Sequence, residues 1–180
     1  MKEKRRVIVI GNSLLRGTEG LICPPDPSHR EVCCLPGAQV RDIARKLPGL
    51  VRPFGYYPLL LVQIGSDKVR DNSAWAIKRD FRALGWQVKR SGAQVVFSSI
   101  PPIAGEDERR NRRSQQISTW LQAWCHKQNL VFFDHGSVYM TPGLLATDGV
   151  HLSQKRKRIL AQELAGLIDR SLNQIFRGKG

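Results

Sequence analysis

The stretch VIVIGNSLLRG (residues 7–17) decides the fold. Val7, Ile8, Val9 and Ile10 are apolar and β-branched in unbroken succession, and Gly11, Asn12 and Ser13 follow. A run that is apolar on both faces is the pattern of a strand inside a parallel sheet, where helices cover both sides. Gly11 closes the run. The polar corner after it carries a hydroxyl, on Ser13, with two readings: it caps a helix that starts at Leu14, or it carries chemistry.

The same pattern recurs along the chain. REVCCLPG (30–37), YYPLLLVQIG (56–65), AQVVFSSIPP (93–102) and NLVFFDHG (129–136) read as four further strands. Segments with helical periodicity lie between them. AQVRDIARKLPGLV (38–51) turns Val40, Ile43, Ala44 and Leu47 to one side. NSAWAIKRDFRALGWQVKRSG (72–92) offers Trp75, Ile77, Phe81, Leu84 and Val88 as core contacts. EDERRNRRSQQISTWLQAWCHKQ (106–128) turns Ile117, Leu121 and Trp124 inward, and SQKRKRILAQELAGLIDRSLNQIF (153–176) is the last helix. LICPPDPSH (21–29) is a Pro-rich loop. Strands alternating with helices predict an α/β fold, a three-layer α/β/α sandwich around a five-stranded parallel sheet. The chain of 180 residues suits one domain spanning 1–180, with residues 1–5 and 177–180 expected as loose tails.

Composition narrows the class. An apolar share of 41% and a charged share of 24% are those of a globular protein. The charge balance is unusual: 29 Lys and Arg stand against 15 Asp and Glu, a formal net charge of +14. Such a field attracts polyanions, so non-specific RNA or DNA is a candidate partner. The runs ERRNRR (108–113) and KRKR (155–158) read as solvated helix faces or as phosphate contacts. Trp120 and Trp124, four residues apart, read as core or as a stacking platform, with the core reading favoured. The N-terminus lacks the apolar length of a secretory signal, and no run approaches the roughly 18 apolar residues of a membrane helix. An intracellular, cytoplasmic or nuclear setting is therefore expected. Cys23, Cys33, Cys34 and Cys125 form no CxxC pair, so free thiols are expected and no zinc site. His29, His126, His135 and His151 show no metal-ligand spacing, and no cofactor is implied.

In open α/β sheets ligands bind beyond the carboxyl ends of the strands. Gly11, Asn12 and Ser13 follow the first strand, Pro36 and Gly37 the second, Gly65, Ser66 and Asp67 the third, Pro101 and Pro102 the fourth. Past the fifth, across a loop, lies TDGVHLS (147–153), with Asp148 and His151. These are the parts acyl transfer needs. A serine hydroxyl is a weak nucleophile until a histidine accepts its proton. The histidine needs a carboxylate to orient it. The oxyanion needs preorganised donors. Competing motifs are missing: G-x-S-x-G, G-x-x-x-x-G-K-[ST] and G-x-G-x-x-G do not occur.

GNSLLRGTE (11–19), LPGA (35–38), IGSD (64–67) and DGVHLS (148–153) resemble the four signature blocks of the SGNH, or GDSL, esterases, in family order. The resemblance implies a flavodoxin-like sheet and a triad of Ser13, His151 and Asp148. It assigns an oxyanion N–H to Gly37, which on its own also reads as a turn residue after Pro36. LLRGTEG (14–20), REVCCLPGA (30–38) and LLATDGVHLSQ (144–154) further resemble the esterase-type domain of first-reading-frame proteins of chicken-repeat-class LINE retrotransposons. That resemblance implies the company of nucleic acid. The implied activity is a serine esterase or acetylhydrolase acting on an ester or acetylated small molecule, lipid or glycan. The alternative is a catalytically degenerate domain that binds nucleic acid or ribonucleoprotein.

Two positions depart from the family pattern. Asn12 replaces an aspartate outside the triad and can make similar turn bonds. Asp67 takes the slot of an asparagine donor, or else serves as a turn residue. An ionised carboxylate cannot donate. Losing one oxyanion donor costs about 3–4 kcal/mol of transition-state stabilisation. The Ser66 hydroxyl and the Lys68 ammonium are the nearest substitutes in sequence. Weak activity is expected.

Overall fold

The computed structural model describes residues 7–11, 30–34, 39–51, 59–65, 73–101, 108–136 and 154–177. Five segments form strands: β1 (Val7–Gly11), β2 (Arg30–Cys34), β3 (Leu59–Gln63), β4 (Gln94–Ser98) and β5 (Val131–Phe133). All pairings are parallel and the order is β2-β1-β3-β4-β5, that of flavodoxin-like sheets. Four helices alternate with them: α1 (Val40–Val51), α2 (Ala74–Ser91), α3 (Glu108–Lys127) and α4 (Gln154–Arg177). The predicted α/β sandwich with a five-stranded parallel sheet is therefore the observed fold. The last helix reaches one residue into the predicted tail.

Strand alternation divides the apolar side chains between two cores. Ile8, Ile10, Leu60, Val62, Val95 and Phe97 face α1, α2 and α3. Val7, Val9, Leu59, Leu61 and Val96 face α4, against Leu160, Ala161, Leu164, Leu167 and Ile168. β1 and β3 are buried along their whole length, as expected of central strands covered on both sides.

The helix ends follow local chemistry. Ser73 caps α2 by accepting from Ala76 N at 3.1 Å, and Gly92, at φ 76°, closes it in the left-handed region that glycine adopts without steric penalty. The N–H of Gln39 donates to Asp42 Oδ2 at 2.8 Å, so α1 starts with a carboxylate near its positive end. Val40, Ile43, Ala44 and Leu47 are buried as the periodicity requires. On α2, Ile77, Phe81, Leu84 and Val88 are buried, but Trp75 is 66% exposed. Trp75 is thus a correction to the expected core. It falls in the first turn of α2, two residues before Ile77, which is 200° away around the helix axis.

On α3, Ile117 and Leu121 are buried, and Trp120 and Trp124 pack partly buried against the core. Their rings stack at 5.6 Å with 12° between planes, and Trp124 meets Phe97 edge-on at 5.9 Å. The favoured core reading holds for the pair. Gly85 makes the α2–α3 seam possible: a Cβ there would lie 2.4 Å from Trp124 Cη2. The fifth strand is shorter than predicted because 134–136 turn away. The Asp134 carboxylate accepts from Gly136 N at 2.9 Å, and Gly136 has φ 67°.

Candidate active site

The register of the sheet sets up one edge. Gly11 pairs with Cys34 on one side and with Gln63 on the other. Three adjacent parallel strands therefore end level, and the sequence blocks 11–19, 35–38 and 64–67 begin at or just past those ends. Ser13, Gly37, Ser66, Asp67, Asp148 and His151 themselves lie outside the described residues, as do Asn12 and Lys68. α4 starts at Gln154, three residues after His151.

What the structure does describe at this edge is a buried polar network on the α4 side of the sheet. Gln63 is the last residue of β3 and is fully buried. Its amide nitrogen donates to Ile64 O at 3.2 Å and to Ser99 O at 3.1 Å. Both amide protons are thereby used, so Oε1 is the acceptor facing His135 Nε2 at 2.6 Å. His135 consequently carries a proton on Nε2. Its Nδ1 lies 2.9 Å from Glu163 Oε1, on α4. The backbone N–H of His135 donates to Ser99 Oγ at 2.9 Å, and the N–H of Ser99 donates to Phe133 O at 2.8 Å. Phe133 closes one flank, edge-on to the imidazole at 5.0 Å.

The network ties the ends of β3, β4 and β5 to α4. The His135 side chain is 0% exposed and that of Glu163 22%. In so dry a setting an unmade hydrogen bond costs about 1–3 kcal/mol, so these bonds fix where each chain leaves the sheet. Two of those exits lead toward residues the sequence reading singled out. Ile64 and Gly65 lead directly into Ser66 and Asp67, and His135 and Gly136 open the segment that carries Asp148 and His151.

Local sequence does not single out Gln63, Ser99, Glu163 or His135 as partners at this edge. A partial signal is present: one glutamine ends the otherwise apolar LLLVQ, and a histidine follows VFFD. A polar residue at the end of a doubly covered strand must find buried partners, and the partners come from three distant segments.

Beside the network, a cavity of about 360 Å³ opens between α3 and the ends of β4 and β5, with Ser99, Ser118, Gln122, Phe132 and Asp134 in its wall. Ser118 Oγ accepts from Ile100 N at 2.8 Å, holding the chain after β4 against α3. Among the described residues no three His, Cys, Asp or Glu side chains converge as a metal site. Cys125 is a free thiol buried in the α3 core, and burial pushes it up to about 12. It is no nucleophile near neutral pH. No helix among the described residues is long and apolar enough to cross a membrane.

No family model and no curated protein matches the chain. Solved structures do. A GDSL-like lipase from Bacteroides thetaiotaomicron superposes with a TM-score of 0.73 at 16% identity, covering 95% of this chain and 91% of that one. A psychrotrophic esterase from Pseudoalteromonas gives 0.71 at 16%, covering 93% and 99%. A lipase/acylhydrolase from Enterococcus faecalis gives 0.69 at 17%, covering 91% and 95%. At these identities the likeness is one of fold, and the fold is that of GDSL hydrolases.

Proposed function

We propose that the protein is a serine ester hydrolase whose activity is lowered by its altered oxyanion block. The observation that carries this reading is the level end of β2, β1 and β3 in a sheet of the GDSL-hydrolase fold. Three of the four matching sequence blocks start there. In this reading Ser13 Oγ attacks the carbonyl carbon of an ester or acetyl group, and His151 takes the hydroxyl proton. Asp148 holds the imidazole in the right tautomer. The N–H groups of Ser13 and Gly37 stabilise the oxyanion. His151 then returns the proton to the leaving alcohol. Water, activated by the same histidine, releases the acid and restores Ser13.

Asp67 is the weak part. Its charge opposes the oxyanion and it has no proton to give when ionised. Ser66 is the replacement donor in this reading. The substrate is an ester or acetylated small molecule, lipid or glycan. The test is hydrolysis of a short-chain nitrophenyl ester. Ser13→Ala should abolish turnover, and Asp67→Asn should raise kcat by about 10²–10³-fold if it restores the donor. Equal rates in wild type and Ser13→Ala contradict the reading.

A second reading is favoured by the net charge of +14 and by Asp67. Here the domain is a degenerate hydrolase of retrotransposon type that accompanies nucleic acid inside the cell, in cytoplasm or nucleus. RNA binding that weakens steeply with salt supports it. Absence of binding at low salt removes it.

A further inference from the structure

Beyond the basic runs 108–113 and 155–158, α2 supplies a surface on which bases could stack. Ile77, Phe81, Leu84 and Val88 are committed to the core, yet two tryptophans point into solvent: Trp75 is 66% exposed and Trp86 64%. They are eleven residues apart, about three helical turns, so they share a face and sit about 16 Å apart. Each has a guanidinium over its ring. Arg79 lies 5.0 Å from the Trp75 ring centre, and Arg90 lies 5.9 Å from that of Trp86. Arg79 also contacts Asp80 at 3.4 Å. One row further, Lys78 and Arg82 lie 5.7 and 5.3 Å from the ring of Trp120 on α3. α2 carries Lys78, Arg79, Arg82, Lys89 and Arg90 against Asp80 alone. α3 carries Arg109, Arg110, Arg112, Arg113 and Lys127 against Glu108 alone.

We propose that the outer face of α2, with the adjoining edge of α3, docks single-stranded nucleic acid. Bases stack on Trp75 and Trp86, and the flanking guanidiniums and ammoniums meet phosphates. This assignment rests on the nucleic-acid reading and is independent of whether Ser13 is active. Charge complementarity selects a polyanion. The exposed indoles select a single strand, because a duplex hides its base faces within the stack. A bilayer fits less well. An interfacial helix buries a continuous apolar face in lipid, whereas Ile77, Phe81, Leu84 and Val88 are already buried in the protein.

The test is fluorescence anisotropy of a labelled 12-nucleotide RNA with the full chain at rising KCl. Wild type should bind with log K falling linearly in log salt. Trp75→Ala with Trp86→Ala should lose about tenfold or more in affinity at unchanged slope. Arg79→Gln with Arg90→Gln should make the slope shallower by about 1.4, the two lost phosphate contacts at about 0.7 each. A blunt duplex of the same length should bind more weakly than the single strand. Wild-type affinity and slope in both double variants overturn the surface while leaving RNA binding in place. No wild-type binding at low salt overturns the surface and the nucleic-acid reading together. Tighter binding to phosphatidylserine vesicles than to RNA overturns the choice of partner, as does equal binding of duplex and single strand.

Discussion

Gln63→Met removes the centre of the buried network with little change in side-chain volume. The structure fixes what is lost: the donors to Ile64 O and Ser99 O, and the acceptor for His135 Nε2 at 2.6 Å. All three partners are buried. An orphaned buried polar group costs about 1–3 kcal/mol. The carbonyls fall at the low end, since a carbonyl oxygen can accept more than one bond. The imidazole N–H falls at the high end. The total loss is about 3–5 kcal/mol, reduced by about 1 kcal/mol for the apolar atoms Met adds. For a chain of this size each kcal/mol moves Tm by about 2–4 °C, so Tm should fall by about 5–15 °C. Thermal unfolding followed by circular dichroism, with a urea titration as a second measure, reads the change. A loss below about 1 kcal/mol would refute the claim that these three bonds hold the strand ends.

Other expectations are smaller in scope. Glu163→Ala removes the 2.9 Å contact to His135 Nδ1 and should cost about 1–3 kcal/mol in urea unfolding. Gly85→Ala should destabilise by about 1–3 kcal/mol through its clash with Trp124, although alanine favours helix by about 1 kcal/mol; a stabilised variant would mean the seam yields freely. Cys125 should resist alkylation in the native state at pH 8 and react once unfolded, which peptide mass spectrometry can resolve. Its folded pKa of about 12 lies above the ordinary 9.0. Both states are protonated below pH 9, and only the unfolded state ionises between about 9 and 12, so this thiol's contribution to stability is lost as pH rises through that window. Trp75→Ala should leave stability within about 0.5 kcal/mol.

Much of the fold was legible because the sheet is buried on both faces. VIVIG, LLLVQ and QVVFS read as central strands because an unbroken apolar run has few other stable homes, and helix spacing placed Val40, Ile43, Leu47, Phe81 and Leu84 correctly. Trp75 misled because residue type stood in for phase: in the first turn of α2 it lies nearly opposite Ile77. The network escaped because its parts are far apart in sequence. Gln63, Ser99, His135 and Glu163 acquire a role only when β3, β4, β5 and α4 meet, and no local pattern encodes that. The candidate triad is a different case. Ser13, Asp148 and His151 are assigned through family blocks alone and lie outside the described residues; β1 ends at Gly11, where the first block begins, and α4 starts at Gln154, just past the last block.

The most direct measurement is covalent trapping. A reactive alkyl phosphonate that mimics the tetrahedral intermediate, incubated with the full chain, should add one phosphonyl group to the intact mass. Peptide mapping should place it on Ser13. The adduct should be absent in Ser13→Ala and slowed by orders of magnitude in His151→Ala, because an unassisted serine is a poor nucleophile. No adduct under forcing conditions, or an equal adduct in Ser13→Ala, would contradict Ser13 as the nucleophile.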